Sequence, residues 1–104
     1  MEKSKPDWFV YMLRCRDGSL YTGITTDVAR RINEHEGGTG LNKGAKYLKG
    51  KGPLRLELQK SVSDRSVALK LEYKIKGLTR YEKEKLIAGE MKVNTLIKQV
   101  CADD

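Results

Sequence analysis

The sequence has few cysteines, few aromatic residues and no long apolar run. Its two cysteines, Cys15 and Cys101, are too few for a disulfide scaffold, so we expect free thiols in a reducing cytoplasm. No stretch approaches the roughly 20 apolar residues that a membrane-spanning helix needs. The apolar run at 8–13 ends at Arg14, which argues against a secretory signal.

The sequence also lacks the common motifs of metal, nucleotide and nucleophile sites. It has no cysteine–histidine cluster at zinc spacing, no Walker loop, no dinucleotide-binding glycine fingerprint and no serine elbow. No internal repeat is visible, and 104 residues leave room for one hydrophobic core. The chemistry must therefore come from another arrangement of residues within a single domain.

Positive charge is in excess. Lysine and arginine number 21 against 14 acidic residues, a net charge of +7 that attracts polyanions such as nucleic acid. The segment 37–52 contains six of the ten glycines and no acidic residue, so we expect an exposed loop. A solvated loop explains this composition, and so does contact with nucleic acid through its four lysines: Lys43, Lys46, Lys49 and Lys51.

Two apolar, aromatic segments predict a β-hairpin. They span 8–13 and 20–24 and flank the turn pair Asp17-Gly18. A two-residue turn would place Tyr11 and Tyr21 on opposite faces of the sheet, whereas a three-residue loop would place them on one face. Both turns fit the sequence.

Capping residues and apolar spacing predict the remaining elements. We expect a helix from Thr26 or Asp27 to Glu36, with Val28, Ala29 and Ile32 on its apolar side. Alternating leucines in 54–59 predict a third strand. Further helices are expected from 63 or 64 to 77, from 79 to 89, and from about 94 onward. The order predicts an α+β domain with a three-stranded antiparallel sheet flanked by helices, divided into a disordered lead-in (1–7), a domain (8–88) and a helical tail (89–104).

Three polar or glycine positions near the hairpin could form a site. Gly23 interrupts the second strand, where glycine often marks the close approach of a backbone or ligand, although an aromatic hairpin with a bulge also explains it. Arg31 and His35 are four residues apart, so they lie on one side of the first helix. The helical wheel points His35 toward the protein, and a half-buried arginine beside it favours an anion such as phosphate.

Glu72 has two interpretations. It lies four residues before Lys76, which is the spacing of an ordinary surface ion pair on a helix. It also borders the apolar side of the predicted helix, where a partly shielded carboxylate could hold a divalent cation together with phosphate oxygens and waters.

The combination of these residues resembles the paired signature of the GIY-YIG nucleases. Phe9-Val10-Tyr11 is followed after a ten-residue step by Tyr21-Thr22-Gly23, and Arg31 follows Tyr21 by ten residues. The segment 64–72 resembles the helix that bears the family's metal-binding glutamate. The likeness covers roughly residues 8–88 and is closest to the small single-domain bacterial members.

The resemblance implies a role for each matching residue. Tyr11 would act as or assist the general base, and Tyr21 would hold the attacking water or the scissile phosphate. Arg31 would neutralise phosphate charge, while His35 would orient the site or share in proton transfer. Glu72 would bind one Mg²⁺ or Mn²⁺, and positive neighbours would stabilise the phenolate of Tyr11.

The chain departs from the family pattern at three positions. Phe9 replaces the glycine of the first half-motif, Ile24 stands where repair-incision members carry lysine, and only Asn94 is a candidate for the family's late asparagine. If both tyrosines serve one site, the hairpin loop has an odd number of residues, with Tyr11 opposite Gly23.

The function implied by the resemblance is metal-dependent hydrolysis of nucleic acid, DNA in particular, in the cytoplasm and with a water nucleophile. A protein partner or the shape of the substrate would supply specificity. The alternative is a nucleic-acid-binding module with an inactive site, and a third is a purely structural or partner-binding protein.

Overall fold

The computed structural model describes residues 7–36 and 53–102. Three strands form one antiparallel sheet in the order β2-β1-β3, and four helices flank it. This confirms the expected α+β architecture. The elements are β1 (Trp8–Arg14), β2 (Leu20–Thr25), α1 (Val28–His35), β3 (Arg55–Val62), α2 (Arg65–Lys76), α3 (Arg80–Ala88) and α4 (Val93–Ala102).

The hairpin between β1 and β2 has a three-residue loop. The Cys15 amide donates to the Ser19 carbonyl at 2.9 Å, so 16–18 form the loop, and Gly18 has a φ of 88°. Only glycine adopts this left-handed conformation without strain, which is why loops of this length favour it. Tyr11 then pairs with Gly23, and Leu13 pairs with Tyr21. The register that places both tyrosines on one face is therefore confirmed.

The central strand β1 divides the core into two layers. Val10 and Met12 point to one face, where they pack with Ala68, Leu71 and Ile75 of α2. The other face carries Tyr11, Leu13 and Cys15, which pack with Val28 and Ile32 of α1. Because side chains alternate along a strand, one seven-residue strand supplies both layers. The tyrosines thus lie between the sheet and α1.

The third strand differs from the predicted alternation. A β-bulge lies where Met12 pairs with Leu58 and Leu13 pairs with Leu56, so that Glu57 is the additional residue. A bulge moves the following side chains to the opposite face. Leu58 therefore packs in the α2 layer and Leu54 in the α1 layer. The expectation of one apolar face for the three leucines is wrong at this point.

The helix ends agree with the capping residues in the sequence. The side chains of Asp27 and Asp64 cap α1 and α2, and Thr79 forms a capping box with Glu82 at the start of α3. Gly89 ends α3 with a φ of 84°. The prediction for Ala29 is wrong, because this residue is exposed.

The C-terminal helix α4 shares the core of the domain. Leu96 of α4 belongs to the same buried cluster as Val10 and Leu71, and Leu86 of α3 joins them. Both cysteines are free thiols, with Cys15 buried and Cys101 exposed. Among the described residues, no helix is long and apolar enough to cross a membrane.

Candidate active site

Tyr11 lies at the centre of a buried polar cluster. Its side chain is 1% exposed, and its hydroxyl is 2.9 Å from Nε2 of His35. The ring centroid of Tyr21 is 6.3 Å from that of Tyr11 and 5.4 Å from the imidazole of His35. The structure therefore brings both tyrosines and the histidine together, as the sequence analysis expected.

Gly23 makes room for the hydroxyl of Tyr11. A Cβ atom on Gly23 would lie 2.7 Å from this oxygen and 3.1 Å from Cε2 of Tyr21. A Cβ atom 2.7 Å from the oxygen would force one of the two atoms to shift, so glycine is favoured here. The close approach inferred from the sequence is that of a tyrosine, and contact between Gly23 and nucleic acid stays a prediction.

Arg31 lies beside the same hydroxyl. Its charge is close enough to lower the pKa of Tyr11, and its Nη1 donates to Oε1 of Glu34 at 2.9 Å. Glu34 is 8% exposed and is also 3.7 Å from Arg30. Glu34 was not predicted from the sequence, although its spacing of three residues from Arg31 and four from Arg30 is a signal for ion pairs on a helix. Glu34 holds Arg31 in place.

Burial controls protonation in this cluster. It raises the pKa of Tyr11 above its ordinary value, Tyr21 and Glu72 add to the effect, and Arg31 opposes it. Burial likewise lowers the pKa of His35, and the charge of Arg31 adds to that effect. The expected stabilisation of the Tyr11 phenolate by positive neighbours is therefore outweighed. Both groups are neutral at pH 7.

Glu72 lies on α2, close enough for its charge to raise the pKa of Tyr11. Its carboxylate is 3.1 Å from Nζ of Lys76, which is the ion pair expected from the sequence. The side chain is 19% exposed, so water and a cation can reach it. Among the described residues, no cluster of three or more His, Cys, Asp or Glu side chains could hold a metal ion.

Two further predictions concern residues away from this cluster. Asn94 is exposed in the first turn of α4. The loop lysines lie outside the described residues, and their contact with nucleic acid stays a prediction: Lys43, Lys46, Lys49 and Lys51.

The fold and the site together define a small α+β domain with a polar cluster of Tyr11, His35 and Arg31 between its sheet and α1. The family model for the GIY-YIG catalytic domain matches residues 7–85, and the chain belongs to this family. The resemblance seen in the two half-motifs is thereby confirmed.

The relatives include small bacterial proteins. The chain is 50% identical over 96 residues to a UPF0213 protein of Klebsiella pneumoniae, covering 92% of this chain and 87% of the relative. It is similar to the solution NMR structure of a UPF0213 protein from Bacillus halodurans, with 45% identity, a TM-score of 0.51 and coverage of 79% and 83%. A second NMR structure, of a protein from E. faecalis, shows 32% identity and a TM-score of 0.55 over 88% and 94% of the two chains.

Proposed function

We propose that this protein is a divalent-metal-dependent nuclease that hydrolyses phosphodiester bonds of nucleic acid, DNA in particular, with water as the nucleophile. The observation that supports this most directly is the Tyr11 hydroxyl, which contacts both a neutral histidine and an arginine. Such a group can receive a proton and pass it on while a cation binds the phosphate beside it. Specificity would come from substrate shape or from a protein partner.

The proton path runs from water through Tyr11 to His35. The hydroxyl of Tyr11 lies 2.9 Å from Nε2 of His35, so it can pass its proton to the imidazole while the positive charge of Arg31 favours the phenolate. As Tyr11 takes a proton from water, it gives its own proton to the imidazole. His35 is neutral at pH 7 because burial lowers its pKa, so its ring nitrogen is free to accept the proton. Burial also raises the pKa of Tyr11, so the hydroxyl gives up its proton only as it takes one from water.

Arg31 and Tyr21 would bind the scissile phosphate. The guanidinium is clamped by Glu34 and is part-buried, so its charge is screened less than that of a surface arginine. Its hydrogen bond to Glu34 orients the plane of the group. Charge that develops on phosphate oxygens during attack is stabilised by such a preorganised cation.

A divalent cation fits the chemistry of Glu72. Mg²⁺ is commonly held by one or two carboxylates, with substrate phosphate and waters completing its shell. A single, part-exposed carboxylate beside the tyrosine site suits this mode and would have to exchange Lys76 for the cation. When bound, the cation would supply positive charge to the phosphate oxygens.

The test compares two acid-to-amide variants for cleavage in Mg²⁺ and in EDTA. The substrates are nicked, branched and single-stranded DNA, and RNA. Glu72→Gln should lose cleavage by orders of magnitude, since a neutral amide is a poor ligand for a hard cation. Glu90→Gln is the matched control, because Glu90 is exposed after the end of α3 and the change in charge is the same.

Melting temperatures on the same preparations separate catalysis from folding. Cleavage that survives in a folded Glu72→Gln protein would remove Glu72 from the mechanism. If the wild-type protein binds these substrates without cleaving any of them in Mg²⁺ or Mn²⁺, the binding module with an inactive site replaces the nuclease.

A further inference from the structure

A basic groove adjoins the candidate active site. It encloses about 470 Å³, and Arg31 of the active site forms part of its wall. Trp8 lines the groove from the start of β1, Arg30 and Glu34 line it from α1, and Arg65 lines it from the start of α2. Thr25 at the end of β2 and Thr26 directly after it also line the groove. The nuclease mechanism uses only Arg31 and Glu34 among these residues.

Arg65 and Trp8 form a cation–π pair. The guanidinium carbon of Arg65 lies 5.7 Å from the centroid of the indole. Trp8 packs against the core on the α2 side of the sheet, so the ring is a fixed platform. A guanidinium that lies over a ring keeps its N–H groups in its own plane, from where they can donate to an oxygen anion. Arg65 is therefore oriented before any ligand binds.

The charges of the groove favour an anion. Three arginines line it against one carboxylate, Glu34, which already pairs with Arg30 and Arg31. An acidic ligand would thus meet net positive charge on two sides, from α1 and from α2. Planar guanidinium groups bind phosphate through two donors at once.

We propose that this groove binds a phosphate of the same nucleic-acid strand next to the scissile one. The proposal rests on the proposed nuclease function. Arg31 lies in the candidate active site and also lines the groove. A strand whose scissile phosphate lies at Arg31 therefore continues into the groove, where Arg65 binds the neighbouring phosphate. Trp8 positions Arg65, and Arg30 adds positive charge on the opposite wall.

The experiment measures binding in EDTA, where no cleavage occurs. A fluorescent single-stranded oligodeoxynucleotide is titrated at salt concentrations between about 50 and 200 mM, and the affinity is followed by anisotropy. Arg65→Ala should reduce the slope of log affinity against log salt by about 0.7, the value of one lost phosphate contact on a single strand. The loss of affinity should be roughly threefold larger at the low-salt end than at the high-salt end.

The matched control is Lys74→Ala. Lys74 is an exposed cation of the same helix, nine positions from Arg65, and it does not line the groove. Both variants change the net charge equally, so a general electrostatic effect would affect them alike. The wild-type slope should persist in Lys74→Ala, and equal slopes in the two variants would overturn the proposal.

The Arg65→Lys variant tests whether the indole of Trp8 helps Arg65 to bind phosphate. It keeps the charge and therefore the salt slope, but it loses the planar group that lies over the indole, so it should bind more weakly than the wild type. Affinity equal to that of the wild type would overturn the role of Trp8.

Cleavage in Mg²⁺ then distinguishes the two proposals. If Arg65→Ala reduces the salt slope but the wild type cleaves no substrate, the phosphate site in the groove is supported and the nuclease function is rejected. Wild-type cleavage with an unchanged slope in Arg65→Ala keeps the nuclease and rejects the groove.

Discussion

At the scale of single residues, the candidate site requires a residue without a side chain at position 23, which is Gly23. The hydroxyl of Tyr11 occupies the space where a Cβ would stand. The neighbouring contact of this hydroxyl with His35 fixes its direction, so it has little freedom to move aside. The second half-motif therefore has a steric reason for its glycine, independent of any ligand.

Gly23→Ala should destabilise the protein by about 1–3 kcal/mol, because inserting an atom into a packed region forces its neighbours to shift. Gly77→Ala is the control: its Cβ would meet nothing closer than 3.6 Å, and we expect a change within about 0.5 kcal/mol. Urea unfolding measures both. Adding Tyr11→Phe should relieve part of the strain at Gly23, and a Gly23→Ala protein as stable as the wild type would contradict the steric argument.

The second residue-scale prediction concerns His35 and pH. Because its folded pKa lies below the ordinary value of 6.5, the unfolded chain takes up a proton at a higher pH than the folded protein does. The contribution to stability is present above pH 6.5 and is lost as the pH falls below it. His35 is the only histidine in the sequence, so no other histidine titrates in the pH range below 6.5.

The measurement is the unfolding free energy of wild type and His35→Gln between about pH 7 and pH 5. The wild type should lose more stability on acidification than the variant, whose side chain does not titrate. Parallel pH profiles for the two proteins would show that His35 is not held neutral by the fold.

At the scale of elements, Arg14 links three of them through ion pairs. Its Nε donates to Glu57 of β3, and its two terminal nitrogens donate to Glu84 of α3 at 2.9 and 2.7 Å. Arg80 also donates to Glu84 and, through NH2, to the carbonyl of Gly18 in the hairpin loop. The network fastens α3 to the sheet at the end opposite the start of β1.

Arg14→Met should therefore lower the melting temperature at neutral pH by several degrees. Arg16→Met is the control, because Arg16 is an exposed arginine two residues further on, and its replacement should leave the melting temperature nearly unchanged. Hydrogen bonds from Arg14 lower the pKa of Glu84 to about 2 and lower that of Glu57. Their contribution is present above about pH 4.5 and is lost as the pH falls toward 2. The difference between Arg14→Met and wild type should disappear over that range, and a difference that persists there would contradict an ionic origin.

At the scale of the whole molecule, the excess of positive charge predicts salt-sensitive binding. Affinity for nucleic acid should fall steeply with salt and depend little on sequence, because phosphates are the main contacts. Replacing the four loop lysines with alanine should lower the slope by about 0.9 for each lysine that contacts duplex phosphate: Lys43, Lys46, Lys49 and Lys51.

The control for the loop changes the net charge by the same amount through four lysines outside it: Lys74, Lys83, Lys92 and Lys98. Fluorescence anisotropy across a salt series compares the two quadruple variants. Equal slopes in both would mean that the loop acts only through the overall charge of the protein.

Much of this fold was accessible from the sequence because its signals are local. Asp27, Asp64 and Thr79 bond amides three residues further along, and Gly18 and Gly89 adopt backbone angles that other residues avoid. Such interactions involve neighbours in the chain, so the helix ends follow from the order of residues, while the sequence allowed both a two-residue turn and a three-residue loop in the hairpin. The pairing of Tyr11 with Gly23 follows in turn from the loop length.

The environment of the site was decided by contacts between distant segments. Tyr11 and His35 are 24 positions apart, and only their packing between sheet and α1 determines that burial outweighs the charge of Arg31. The bulge in β3 and the meeting of Trp8 with Arg65 likewise require the assembled sheet. Sequence periodicity indicates which face a residue takes within its own element. Desolvation and steric fit depend on what the other elements place against that face.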